Sequence, residues 1–139
     1  MADAQRNESQ LDRLAISIRQ PWAWLIMYGG KDIENRSWPT KVRGRVFIHA
    51  AKIASKREWR SAWDFVRQIA PDVWDKASLE IKTGTIEHGG IIGSVEIIDC
   101  VDQSNSPWYM GIGKYGFVLR NPEPMPFEPM KGRLGFFKI

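Results

Sequence analysis

Residues Gly90-Ile-Ile-Gly-Ser-Val-Glu-Ile-Ile-Asp-Cys-Val101 decide the fold class. The run is dense in Ile and Val, whose branched side chains suit a pleated, half-buried surface, so it reads as one long strand. Working outward, Arg45-Val-Phe-Ile-His-Ala50 and Leu14-Ala-Ile-Ser-Ile18 read as strands upstream. Downstream, Phe117-Val-Leu-Arg120 is a strand that should end at the proline-rich Pro122-Glu-Pro-Met-Pro126. Leu134-Gly-Phe-Phe-Lys-Ile139 closes the chain as another. The polar segment Lys31–Ser37 is compatible with extended backbone, stopped at Trp38-Pro39 because a proline ring restricts the residue before it. Short strands with many Gly/Pro turns predict an α+β, mainly β domain. Its expected form is a small, partly closed β-barrel of about five to six strands, flanked by short α-helices.

The helices carry their own signals. Pro21 suits a first helical turn, where its missing N–H would have no partner. Trp22-Ala-Trp-Leu-Ile-Met-Tyr28 follows as a short apolar helix, stopped by Gly29-Gly30. Being nearly all apolar, it should pack on the sheet or plug one end of a barrel. Ser55-Lys-Arg-Glu58 is a capping box, in which the serine side chain satisfies an orphan backbone donor. Trp59, Ala62, Trp63, Val66 and Ile69 then form one apolar stripe, and Pro71 is expected to close that helix. Residues 72–88 are ambiguous, with a short helix near Trp74–Ile81 as one reading. The organisation expected is a flexible N-terminal segment, residues 1–13, and one domain over residues 14–139.

Charge is unevenly spread. Residues 1–70 carry 13 Lys/Arg against 7 Asp/Glu, and residues 71–139 carry 7 against 9. A basic half attracts polyanions by neutralising phosphates and releasing counterions, although a solvated basic face needs no partner. The seven tryptophans are mostly expected in the core, yet Trp22, Trp24 and Trp38 flank the basic region, where a base could stack on a ring. No apolar run is long enough for a bilayer, and Cys100 is the sole cysteine, which leaves no internal disulfide partner. The polar N-terminus lacks a secretory signal, so the cytoplasm is the expected location.

Several motifs are weak. Gly111-Ile-Gly-Lys-Tyr-Gly116 matches a dinucleotide fingerprint literally, but the strand lies after it and no helix does. His49 sits in a strand and reads as a hydrogen-bonded structural residue. No metal-ligand spacing appears and the sequence indicates no cofactor. A loosely held Mg²⁺ or Mn²⁺ on carboxylates would leave no such spacing and stays open.

The informative segment is Gly30-Lys-Asp-Ile-Glu-Asn-Arg36. In an extended chain Glu34 and Arg36 share a face, because side chains alternate with period two. With Lys31 beside them they form a compact charged cluster able to meet a base edge, a phosphate or a developing oxyanion. A surface ion-pair group of little consequence has the same local pattern.

These residues bring a resemblance into view. Ile16-Ser-Ile-Arg-Gln-Pro-Trp-Ala-Trp24, Gly29-Gly-Lys-Asp-Ile-Glu-Asn-Arg-Ser-Trp-Pro39, Arg43-Gly44, Ile48-His-Ala-Ala51, Lys114-Tyr-Gly-Phe-Val-Leu119 and the Pro126–Phe136 stretch with Lys131-Gly132 resemble the ASCH domain family. The pattern Gly29, Lys31, Glu34, Arg36 is its most specific piece. The resemblance implies a PUA-like fold and binding of RNA or another single-stranded nucleic acid in a cleft lined by that segment. It also implies two chemistries known among small members: hydrolysis of N4-acetylcytidine and cleavage of single-stranded RNA. The amidohydrolases place a threonine nucleophile where this chain has Glu34, which weakens that transfer; Glu34 or Glu96 would have to activate water instead.

The site expected on these grounds has Lys31, Glu34 and the loop residue Ser106 as catalytic candidates. Arg19, Arg36, Arg43, Arg45, Lys52, Lys56 and Lys114 are phosphate-binding candidates, and Trp22, Trp24 and Trp38 are stacking candidates. An RNA-binding or nucleic-acid-binding module, or a weak ribonuclease on single-stranded RNA, leads. A nucleoside amidohydrolase and a non-catalytic interaction domain are the alternatives. Oligomeric state is left undetermined.

Overall fold

Among the described residues, six strands make one mixed sheet: β1 Leu14–Arg19, β2 Ile33–Arg36, β3 Gly44–Ala51, β4 Gly90–Val101, β5 Tyr115–Pro129 and β6 Phe136–Lys138. The same residues hold three helices: α1 Trp22–Tyr28, α2 Lys56–Ile69 and α3 Pro71–Thr83. The structure is a computed structural model and describes residues 13–53, 55–84, 86–111 and 115–139. The expected N-terminal segment therefore lies, apart from Arg13, outside the described residues.

Strand order is β2-β5-β4-β3-β1-β6. The β1–β3 pair is parallel and the other pairs are antiparallel. The long Gly90–Val101 run thus lies inside the sheet, paired on both edges, and its first half is buried. A side chain at Gly93 would overlap the Met27 sulfur, so this glycine lets α1 approach the sheet closely. The sheet curls until its two ends meet. From β2 the Arg36 guanidinium donates to the Ser17 carbonyl of β1 at 2.6 Å. Just beyond β2, the Trp38 ring meets Phe136 of β6 edge-on, with centroids 5.9 Å apart. The result is a six-stranded half-barrel with helices at its margin, the PUA-like α+β form expected from the strand runs.

Two boundaries differ from expectation. Pro122-Glu-Pro-Met-Pro126 does not end the fourth predicted strand; β5 runs on to Pro129 and pairs with β4 along that length. Prolines at alternate residues place their missing donors on one side of the strand. Because β2 covers only Tyr115–Val118, that side is an open edge where no ladder bond is lost. Pro71 closes α2, as expected, but also opens α3 as its first residue, so the short helix read near Trp74–Ile81 exists and extends at both ends, to Pro71 and Thr83. Its end is set by Gly84, whose φ of 70° suits a residue without a Cβ.

Two apolar clusters hold the layers. Ile16, Ile18, Ile26, Val46, Ile48, Val95 and Phe117 fill the barrel under α1. Trp24, Leu25, Ile33, Trp63, Val66 and Trp108 join the helices to the barrel margin. The capping box forms as read, with the Ser55 hydroxyl accepting from the Glu58 amide at 3.1 Å. His49 is structural: its Nε2 donates to the Met130 carbonyl at 2.6 Å, and Gly132 leaves room for the ring. Residues 112–114 of the glycine-rich motif lie outside the described residues, but a strand, β5 from Tyr115, and not a helix follows them, which the dinucleotide motif does not allow.

Candidate functional site

The Lys31–Arg36 segment folds into a charged trio beside a cleft, with Lys31 and Glu34 buried and Arg36 half-buried. Gly29 and Gly30 end α1 and turn the chain into β2, which pairs with β5 in the register Ile33↔Val118 to Arg36↔Tyr115. The alternation of β2 turns Ile33 into the core and sets Glu34 and Arg36 together on the opposite face. One Glu34 oxygen accepts from Lys31 Nζ at 3.3 Å and the other from Arg36 Nε at 2.9 Å. Lys31 also donates to the Ile33 carbonyl. Lys31 and Glu34 are only 4% and 8% exposed, so this is a desolvated network and not a surface ion pair. Burial pulls the Lys31 pKa below its ordinary value of 10.5, and the Glu34 carboxylate opposes that pull.

The adjoining cleft has a volume of about 490 Å³. Its walls include Arg19, Trp22, Glu34, Arg36, Trp38 and Leu134. The Lys31 ammonium lies behind this wall, 5.6 Å from the Trp22 ring centroid. Lys31 thus does not line the cleft, and its contact with that wall runs through Glu34. Arg36 is held by Glu34 and the Ser17 carbonyl and lies 5.5 Å from the Trp38 ring, so its remaining N–H groups are aimed by three fixed contacts. Arg19 stands at the rim with 57% of its side chain exposed, paired with Glu58 of α2 at 3.2 Å.

Other sequence candidates lie elsewhere. Trp24 is buried among the helices against Tyr28 and Trp63, on the face of α1 turned away from the cleft. Ser106 donates to Asp32 at 2.5 Å and accepts from the Trp108 amide, so it shapes its own loop and does not line the cleft. Arg45 stands across the β3–β4 register from Glu96 and meets Ser94, Glu96 and Glu123, acids and hydroxyls of the second half of the chain. Arg43 faces Asp99. Both arginines lie outside the cleft, beside acids that the second half of the chain brings to them. Glu96 lies with them; a hydrogen bond from Asn121 and the neighbouring arginines hold its carboxyl below the usual carboxylate range. Lys52 and Lys56 are exposed on the segment leading from Ala51, a cleft residue, into α2. Lys114 lies outside the described residues. Among the described residues no three of His, Cys, Asp and Glu converge as a metal-holding group.

The sequence reading missed Asn35 and Leu134. Asn35 alternates away from Glu34, and its amide donates to the Trp108 carbonyl and accepts from the Met110 amide, both at 3.0 Å. It clamps the loop before β5 onto β2; a polar residue between two charged ones was the available signal. Leu134 is 98% exposed at the cleft rim, next to Gly135, which carries positive φ beside Trp38. Having no packing to lose, Leu134→Ser should shift stability by less than about 0.5 kcal/mol in thermal unfolding. A larger loss would show that the leucine packs in solution.

Comparison of the sequence with known proteins identifies the family. The ASCH domain family model covers residues 16–124, which takes in most of β1, the charged trio and most of β5. The chain belongs to the ASCH family. Activating signal cointegrator 1 of Homo sapiens is 30% identical over 139 residues, covering 89% of this chain and 22% of the human protein. The Mus musculus protein of the same name is 30% identical over 132 residues, with the same coverage. This ASCH chain thus spans about a fifth of the length of the curated relatives it matches. No helix among its described residues is long and apolar enough to cross a membrane.

Proposed function

We propose that this ASCH domain binds single-stranded RNA in the cleft between β1, β2 and the loop before β6. The observation that carries the reading is the pairing of two opposite surfaces in one concavity. Trp22 and Trp38 offer ring surface to an unpaired base, while Arg19 and Arg36 offer guanidinium groups to its phosphate. Glu34, fixed by two cations, presents a carboxylate edge to base N–H donors. The ASCH family and the likeness to a signal cointegrator support a nucleic-acid role.

The geometry favours binding over cleavage. Transphosphorylation would need one group to take the 2′-hydroxyl proton and another to protonate the leaving oxygen, and among the described residues lining the cleft Glu34 is the single carboxylate, with no histidine beside it. It would also need the Lys31 ammonium at the phosphorane, and that group is buried behind the wall. Hydrolysis of an acylated nucleoside lacks a hydroxyl nucleophile at position 34, and Glu96 is outside the cleft.

Fluorescence anisotropy with a labelled single-stranded RNA tests the reading. Affinity should fall linearly on a logarithmic plot as salt rises. Arg19→Gln should weaken binding and reduce that slope by about one, since it removes one phosphate contact. Its own stability should stay near wild type, because the exposed Arg19–Glu58 pair contributes little. An unchanged slope and affinity would remove Arg19 from the interface, and a wild-type protein that binds no RNA at low salt would end the proposal.

A further inference from the structure

The wall formed by Trp22 has a second concavity on it. This groove, of about 590 Å³, is lined by Trp22, Ile53, Phe65, Tyr109 and Met110, with Arg57 at its edge. Its lining is aromatic and apolar, in contrast to the charged cleft that shares Trp22. We infer that the groove is a second base subsite. It takes the base adjacent, on the same RNA strand, to the one held in the charged cleft, and so rests on the reading above.

Three observations point to that occupant. First, the two concavities share Trp22 as a common wall, so a strand lying in one leads directly into the other. Second, the saddle between them is bridged by the Arg19–Glu58 ion pair, Arg19 lining the cleft and Glu58 the groove. A phosphate crossing the saddle would meet Arg19 and the exposed Arg57, two cations against the single Glu58 carboxylate, which it would displace from Arg19. Third, the rings are held in place before any ligand arrives. Phe65 packs edge-on against both Trp22, at 6.1 Å, and Trp108, at 6.3 Å. Asn35 fixes Met110 by accepting from its amide at 3.0 Å. A preformed aromatic slot stacks any base, because every base has a π-face, and it selects little by sequence.

The division of labour follows from chemistry. The charged cleft has a carboxylate and guanidinium groups that can meet a base edge. The groove has rings and aliphatic carbon, so it contributes affinity and length preference. The footprint is then two adjacent bases straddling Trp22.

Three-nucleotide RNA oligomers with one or two bases kept and the others abasic separate this from simple phosphate attraction, since charge is constant across the set. In anisotropy at fixed low salt, the two-base oligomer should bind wild type about tenfold more tightly than the one-base oligomer. Ser61 is an exposed α2 residue on the groove edge, so Ser61→Trp should fill the groove without unfolding the protein. It should abolish the gain from the second base and leave one-base affinity unchanged. Met110→Ala should shrink the gain. Equal affinity of wild type for both oligomers, with binding still salt-dependent, overturns this inference alone. A gain that survives Ser61→Trp overturns it too. If neither oligomer binds, the charged-cleft reading falls with it.

Discussion

Glu34→Ala is expected to cost the fold about 3–5 kcal/mol, read as a fall in the urea midpoint. The carboxylate is the common anion of two cations, with Lys31 at 3.3 Å and Arg36 at 2.9 Å. Removing it leaves the buried ammonium with one backbone carbonyl, a ring and the weaker attraction of Asp32, facing a guanidinium of like charge. Against a typical total stability of about 5–15 kcal/mol, such a loss is large. Glu34→Gln keeps an acceptor but not the charge, and should fall between. The double variant Lys31→Met, Glu34→Leu removes both desolvated charges together and should recover most of the loss, because a buried pair replaced by apolar groups is often neutral.

The same network gives the alanine variant a pH signature. Lys31 has a folded pKa below its unfolded value of 10.5, so over that interval the unfolded chain binds more protons than the folded one. Stability from this group therefore rises with pH there, as the folded state sheds a proton that is costly to bury. Without Glu34 to oppose the pull, the interval widens. The deficit of Glu34→Ala relative to wild type should shrink as pH climbs toward 10.5. A variant with the wild-type midpoint at neutral pH would mean that the trio is solvated and that the cleft wall is not built as described.

The sequence made the barrel legible because its strands advertise themselves locally. Ile–Val density marks β4, and alternation with a capping box marks the β3-to-α2 transition. Where local signals conflicted, tertiary context decided. Prolines argued against the far half of β5, yet an open edge needs no donors, and Pro71 served two helices at once. For the site, period-two alternation was enough to bring Glu34 and Arg36 together. It was not enough to show that Lys31 lies behind the wall, since depth depends on α1 and Trp22 packing over it. Charge counts did not show that Arg43 and Arg45 stand away from the cleft, beside acids of the second half. Their partners Asp99, Glu96 and Glu123 are about 50 to 80 residues away in sequence and become neighbours only through β-strand register. Trp24 and Trp22 are two residues apart on one short helix, and a turn of about 100° per residue sends them to different surfaces.

That difference between tryptophans sets the largest expected effect on binding. Trp22→Leu should weaken single-stranded RNA binding by about ten- to a hundredfold, the equivalent of about 1–3 kcal/mol of lost stacking. Leucine keeps apolar bulk against Phe65 and over Lys31, so thermal unfolding should show a folded protein and the loss should be one of ring surface. Trp22→Phe restores a smaller ring and should recover part of the affinity. Trp38 is the informative contrast. Its ring is already engaged by Phe117 at 5.3 Å, Phe136 at 5.9 Å and the Arg36 guanidinium at 5.5 Å. Less of it is left for a base, so Trp38→Leu should cost more in stability and less in RNA affinity than Trp22→Leu. The order follows from what each ring already touches: Trp22 stands where cleft and groove meet, and Trp38 closes the barrel. Should Trp22→Leu bind RNA as tightly as wild type while Trp38→Leu does not, base stacking would have to be moved to the barrel seam.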